Sequence, residues 1–167
     1  MIASTRALAL CLLAAAAACQ AAALKEGDEP PAYVGRTVDG EPVSLASHSG
    51  KAIVVSFWAT WCAYCLKELP ILNNIQKAAG KERMQVIAVN TESLDVFRKV
   101  ARGLSSLDLQ LAYDPDRKGR KSYGVNGIPH MVIIGRDGKI EAVFRGYTED
   151  DLDRIVSAIN RATGATK

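Results

Sequence analysis

Ala52-Ile-Val-Val-Ser-Phe-Trp-Ala-Thr-Trp-Cys-Ala-Tyr-Cys65 decides the fold, because a β-branched apolar run empties directly into two cysteines three positions apart. The run predicts a buried strand over Ala52 to Trp58, and the residues after it predict a helix start. A cysteine in the first turn of a helix meets orphan backbone N–H groups and the positive end of the macrodipole, which favour thiolate over thiol. Cys62 occupies that place. Cys65, one turn on, lies on the same helix face, so the two sulfurs can close a small disulfide and open it again. Two blander readings compete with this redox switch. A structural zinc site needs a second ligand pair, and past the leader the chain has no other cysteine and only His48 and His130. An inert structural disulfide over so short a loop constrains the unfolded chain little.

Working outward towards the N-terminus, residues 1–23 read as a signal segment. Arg6 supplies its positive charge, and Ala7 to Ala18 is an apolar stretch too short to span a bilayer. Two end points stay open. Ala21-Ala22-Ala23 offers a small-x-small cleavage site, whereas Leu13 to Cys19 resembles a lipoprotein signal whose Cys19 becomes a lipidated N-terminus, with Ala16 where such signals usually carry leucine. Either way Cys11 and Cys19 leave the redox arithmetic, and the domain keeps Cys62 and Cys65 in a compartment where disulfides persist. Residues 24–31, charged and then Pro-Pro, read as a flexible tether, and 32–167 as one domain. The 167-residue chain carries a net charge of +3, and losing Arg6 with the leader leaves +2, too little to argue for nucleic acid or a membrane surface.

Within 32–167, Tyr33 to Leu45 is two short strands around the hairpin signal Asp39-Gly40. The helix after Cys62 runs to about Ala79, with Leu66, Leu69, Leu72 and Ile75 on its apolar face and Pro70 as a kink. Met84 to Asn90 is a second buried strand, suited to parallel pairing. Ser93 to Leu104 is an amphipathic helix whose basic face, Arg98, Lys99 and Arg102, reads as plain solvation. Gln110 to Ala112 is a short strand, and Arg117 to Tyr123 a short helix stopped by Gly124. Met131 to Ile134 and Lys139 to Arg145 form a hairpin around Asp137-Gly138, and Thr148 with Asp151 caps a last helix that ends near Ala162.

Four stretches taken together, Phe57-Trp-Ala-Thr-Trp-Cys-Ala-Tyr-Cys65, Glu68-Leu69-Pro70, Gly127-Ile128-Pro129 and Asp137-Gly138-Lys139-Ile140, resemble the thioredoxin-like superfamily, and within it the TlpA/ResA/CcmG-like envelope thiol-disulfide oxidoreductases. The likeness runs from about Pro30 to the C-terminus. It implies an α/β thioredoxin fold, a mixed central sheet flanked by helices, with an N-terminal β-hairpin and a central helix-strand insertion. It implies no cofactor, a monomer, and a periplasmic or envelope-side location, soluble or anchored by the N-terminus.

The resemblance also assigns roles. Cys62 is the nucleophile and Cys65 the resolving thiol. Ile128-Pro129 is a cis-proline loop set against the cysteines, so that Ile128, with Trp61, Ala63 and Tyr64, borders the substrate. Tyr64 stands where many relatives carry proline between the cysteines, which bears on the potential. Ser56 stands where thioredoxin has a buried aspartate and cannot titrate usefully. Glu68, one turn after Cys65 and at the place of an active-site glutamate in ResA-like relatives, is therefore the candidate proton carrier. The implied partners are an exported protein bearing a disulfide, for instance an apocytochrome c or a metal-site assembly factor, and a membrane thiol donor of the DsbD/CcdA kind. An oxidising or isomerising role is the nearest alternative. A copper-binding assembly chaperone using Cys62, Cys65 and His130 as ligands is the alternative of another class.

Overall fold

Seven apolar and β-branched runs pair into one mixed sheet, and the computed structural model describes them within residues 23–165. The strands are β1 Tyr33–Arg36, β2 Pro42–Ser44, β3 Ala52–Trp58, β4 Met84–Asn90, β5 Gln110–Tyr113, β6 His130–Ile134 and β7 Ile140–Arg145. The helices are α1 Ala63–Ala79, α2 Leu94–Gly103, α3 Lys118–Ser122 and α4 Leu152–Thr163. The leader, with its Cys19 end point, lies outside the described residues. Among those described, no helix is long and apolar enough to cross a membrane.

The sheet order is β2-β1-β5-β4-β3-β6-β7. β3, whose seven residues are all buried, lies between β4, with which it runs parallel, and β6, with which it runs antiparallel. A strand buried on both faces is apolar on both, which is why Ala52 to Trp58 shows no alternation, and its one polar residue, Ser56, is hydrogen-bonded to Glu68. One face of the sheet carries Ile53, Val55 and Phe57 against Tyr123 and Val125 beside α3. The other carries Val54, Met131 and Ile133 against α4. At the end of β3, Trp58 joins Cys62, Cys65 and Leu69 in a smaller apolar cluster.

The expected elements are present, including the Asp39-Gly40 hairpin and the Thr148/Asp151 capping box, which sits on a 3₁₀ turn, Glu149–Asp151, that runs on into α4. α3 packs tightly on β1. A Cβ on Gly119 would lie 2.6 Å from the Val34 carbonyl oxygen, and one on Gly35 would lie 2.7 Å from that of Tyr113, so both approaches need glycine.

Two expectations are corrected. The buried face of α1 is Cys65, Glu68, Leu69, Leu72, Asn73 and Gln76, while Leu66 is 42% exposed. Asn73 accepts from Asp108 N and Gln76 from Val86 N, so polar side chains stitch the helix to β4 and to the segment before β5 where an apolar stripe was expected. The stretch 24–31 is also held. Gly27 N donates to Ile140 O, Ile140 N to Asp28 O, and the Tyr123 hydroxyl to Pro31 O, which ties the stretch to β7 and to the residue after α3.

Candidate active site

β3 ends at Trp58, the chain turns through Ala59-Thr60-Trp61, and α1 begins at Ala63 with Cys62 as its N-cap. Cys62 N donates to Ala59 O at 3.1 Å, and Cys65 N donates to Cys62 Sγ at 3.2 Å. A sulfur that accepts a first-turn N–H is stabilised as an anion, and here that sulfur belongs to Cys62. The two cysteines form a disulfide with Cα atoms 5.2 Å apart. Cys65 is completely enclosed, and Cys62 keeps 7% exposure. Exposure is therefore asymmetric, small at the earlier cysteine and nil at the later one.

The surface around the disulfide is apolar and exposed. Trp61 is 73% and Tyr64 57% exposed, and Ala63 between them is exposed too. Two large aromatic side chains thus stand in water beside a buried disulfide. Trp58, by contrast, is core.

On the buried face of α1, one turn after Cys65, Glu68 is 2% exposed and accepts a hydrogen bond from the Ser56 hydroxyl at 2.6 Å. Burial pushes its carboxyl up to about 7, against the smaller downward pull of the Ser56 bond. Burial raises the Tyr147 phenol, and the nearby Glu68 charge raises it further. The serine in the aspartate's place thus supports a glutamate brought in by the helix.

Ile128-Pro129 is cis. Pro129 O accepts from Gly146 N at 2.8 Å, and half-buried Ile128 packs on the cluster that holds Cys62 and Cys65. The proline loop therefore lies against the disulfide, as expected from Gly127-Ile128-Pro129. His130 follows it, 1% exposed, edge-on to Phe57 at 6.2 Å and opposite Arg145 in register. Burial, and secondarily Arg145, push its imidazole down to about 4, so it is neutral at pH 7. Among the described residues no group of three or more His, Cys, Asp or Glu side chains is placed to hold a metal ion.

One part of the site escaped sequence reasoning. Thr60 donates its N–H and its hydroxyl to the two carboxylate oxygens of Glu92 at 2.6 and 2.8 Å, and Asn90 Nδ2 adds a third bond to Glu92. This clamp fixes the turn between β3 and Cys62. Its only trace in the sequence is a short polar run, Asn90-Thr-Glu-Ser93, at the end of a strand parallel to β3.

Comparison with known proteins agrees with this geometry. The Redoxin family model matches residues 25–159. A protein named thiol-disulfide oxidoreductase ResA from Bacillus thuringiensis is 28% identical over 134 residues, 80% of this chain and 78% of its own. Thioredoxin-like protein YneN of Bacillus subtilis is 32% identical over 125 residues, 74% and 73% of the two chains. A crystal structure from Chlorobium tepidum, assigned as thiol:disulfide interchange protein DsbE, superposes with a TM-score of 0.70 at 29% identity, covering 85% of this chain and all of that one.

Proposed function

The chain belongs to the Redoxin family and is a thiol-disulfide oxidoreductase of the ResA/DsbE type, and from that premise we propose that it reduces disulfides of exported proteins on the envelope side through the Cys62/Cys65 dithiol. Cys62 thiolate attacks one sulfur of a substrate disulfide, forming a mixed disulfide and releasing the first substrate thiolate. Cys65 gives its proton to the Glu68 carboxylate and attacks Cys62 Sγ. The second substrate thiolate leaves and the Cys62–Cys65 disulfide forms. Two electrons have passed to the substrate, and a membrane dithiol donor returns them. Trp61, Ala63, Tyr64 and Ile128 supply the surface on which the substrate rests, with Pro129 holding Ile128 over the cysteines. Export is read from the leader, and the choice of a cytochrome or metal-site assembly protein as substrate rests on the resemblance alone.

The observation that carries this reading is the asymmetric pair: Cys62 capping α1 with a bonded first-turn N–H and Cys65 enclosed behind it. Trapping tests it. Cys65→Ser accumulates mixed disulfides with substrate proteins, Cys62→Ser does not, and iodoacetamide labels Cys62 before Cys65 in the reduced protein. The reverse order of labelling, or trapping by Cys62→Ser alone, would refute the assignment.

A further inference from the structure

Two open clefts flank the stretch Gly124–Gly127 that leads into the cis-proline loop. One, of about 290 Å³, reaches Ile128, His130 and Arg145. The other, of about 500 Å³, reaches back to Arg117, Arg120 and Lys121. Both are lined by Gly124 and Asn126, so they adjoin along this stretch as a channel in two parts, the smaller part next to the loop that lies against the disulfide.

The channel is strongly one-signed. Its charged lining residues are four cations, Arg117, Arg120, Lys121 and Arg145, and one acid, Asp116. None of the four takes part in an ion pair among the described residues. The nearby acid Asp114 is buried, with its carboxylate oxygens accepting from Gly119 N and Arg120 N, so it is committed to the backbone at the start of α3. Arg117 adds an independent sign. It is the one non-glycine residue at positive φ among those described, at 54°, where glycine or asparagine would sit at less cost. Backbone strain of this kind concentrates at functional positions.

We propose that this channel is the docking track for the substrate polypeptide, and that it selects disulfide-bearing segments with acidic side chains on the side of the reactive cysteine that runs past Gly124 and Asn126. The inference rests on the reductase reading above and adds to it the chemistry of the partner. Exposed cations contribute little each to a finished complex. Together, lining one side of a cleft, they raise the encounter rate with an acidic segment and discourage a basic one.

The test uses the full-length protein reduced with dithiothreitol and three synthetic peptides, each with the same disulfide, flanked by glutamate, glutamine or lysine. At low ionic strength the second-order rate constants should fall in the order Glu, Gln, Lys, with about tenfold between the extremes. That spread should collapse at about 0.5 M NaCl. The double variant Arg117→Gly/Lys121→Gln should lose most of the preference. Arg98→Gln/Lys99→Gln, an equal change of charge on the exposed face of α2, should keep it. Equal rates for the three peptides, or the same loss of preference in both double variants, would overturn the docking track and leave disulfide exchange standing. No reaction with any peptide would remove the reductase reading and the track with it.

Discussion

A carboxyl buried to 2% exposure and held by one serine hydroxyl is poised near neutrality, which suits Glu68 to take a proton from Cys65 and release it again. Thioredoxin's solution, an acid on the central strand, is absent because β3 carries Ser56. The acid comes from the helix, and the strand supplies the hydrogen bond that orients it. Glu68→Gln keeps the shape and the bond capacity but cannot accept that proton. Resolution of the mixed disulfide in this variant should slow by about a hundredfold at pH 7, and the rise in rate with pH centred near 7 should vanish. Stopped-flow tryptophan fluorescence measures both, since Trp61 lies beside the disulfide. An unchanged pH–rate profile would contradict the assignment.

At the scale of the element, what could be read from the sequence was whatever depends on local pattern. β3 and β4 announce themselves as unbroken apolar runs, the hairpins as Asp-Gly pairs, and α4 by its capping box. Spacing alone places Cys62 as cap with Cys65 and Glu68 one and two turns on, whereas the cis Ile128-Pro129 bond is legible only through the resemblance. Illegible were the contacts that depend on which polar side chain meets which distant backbone. The apolar face of α1 was misphased because Leu66 looks like core by hydropathy, whereas Asn73 and Gln76 earn their burial from hydrogen bonds to Asp108 N and Val86 N. The Glu92 clamp joins residues 32 positions apart, and no periodicity encodes it. The charged channel is assembled from α3, the segment after it and the end of β7, so its charges are scattered in the chain and meet only in the fold.

Over the whole molecule, two buried titrating groups pull stability in opposite directions with pH. Glu68 binds its proton more tightly folded (about 7) than at its ordinary 4.5, so it favours folding most below pH 4.5, and that advantage is lost as pH rises through 7. His130, at about 4 folded against its ordinary 6.5, favours folding above pH 6.5, and that advantage is lost as pH falls through 4. Each swing is roughly 3 kcal/mol, and between pH 4.5 and 6.5 the two oppose each other. In urea unfolding of the oxidised protein, the stability of Glu68→Gln relative to wild type should therefore climb by that amount from pH 4.5 to 7. That of His130→Thr should climb as pH falls from 6.5 to 4. Differences that do not vary with pH would refute the burial argument for both residues. The direction in which the whole protein passes electrons is its central property, and the equilibrium reduction potential of the Cys62/Cys65 pair against glutathione tests it most directly. The account predicts a value near that of thioredoxin, about −270 mV, as a reductase requires. A value near that of DsbA, about −120 mV, would make the protein an oxidant and contradict the account.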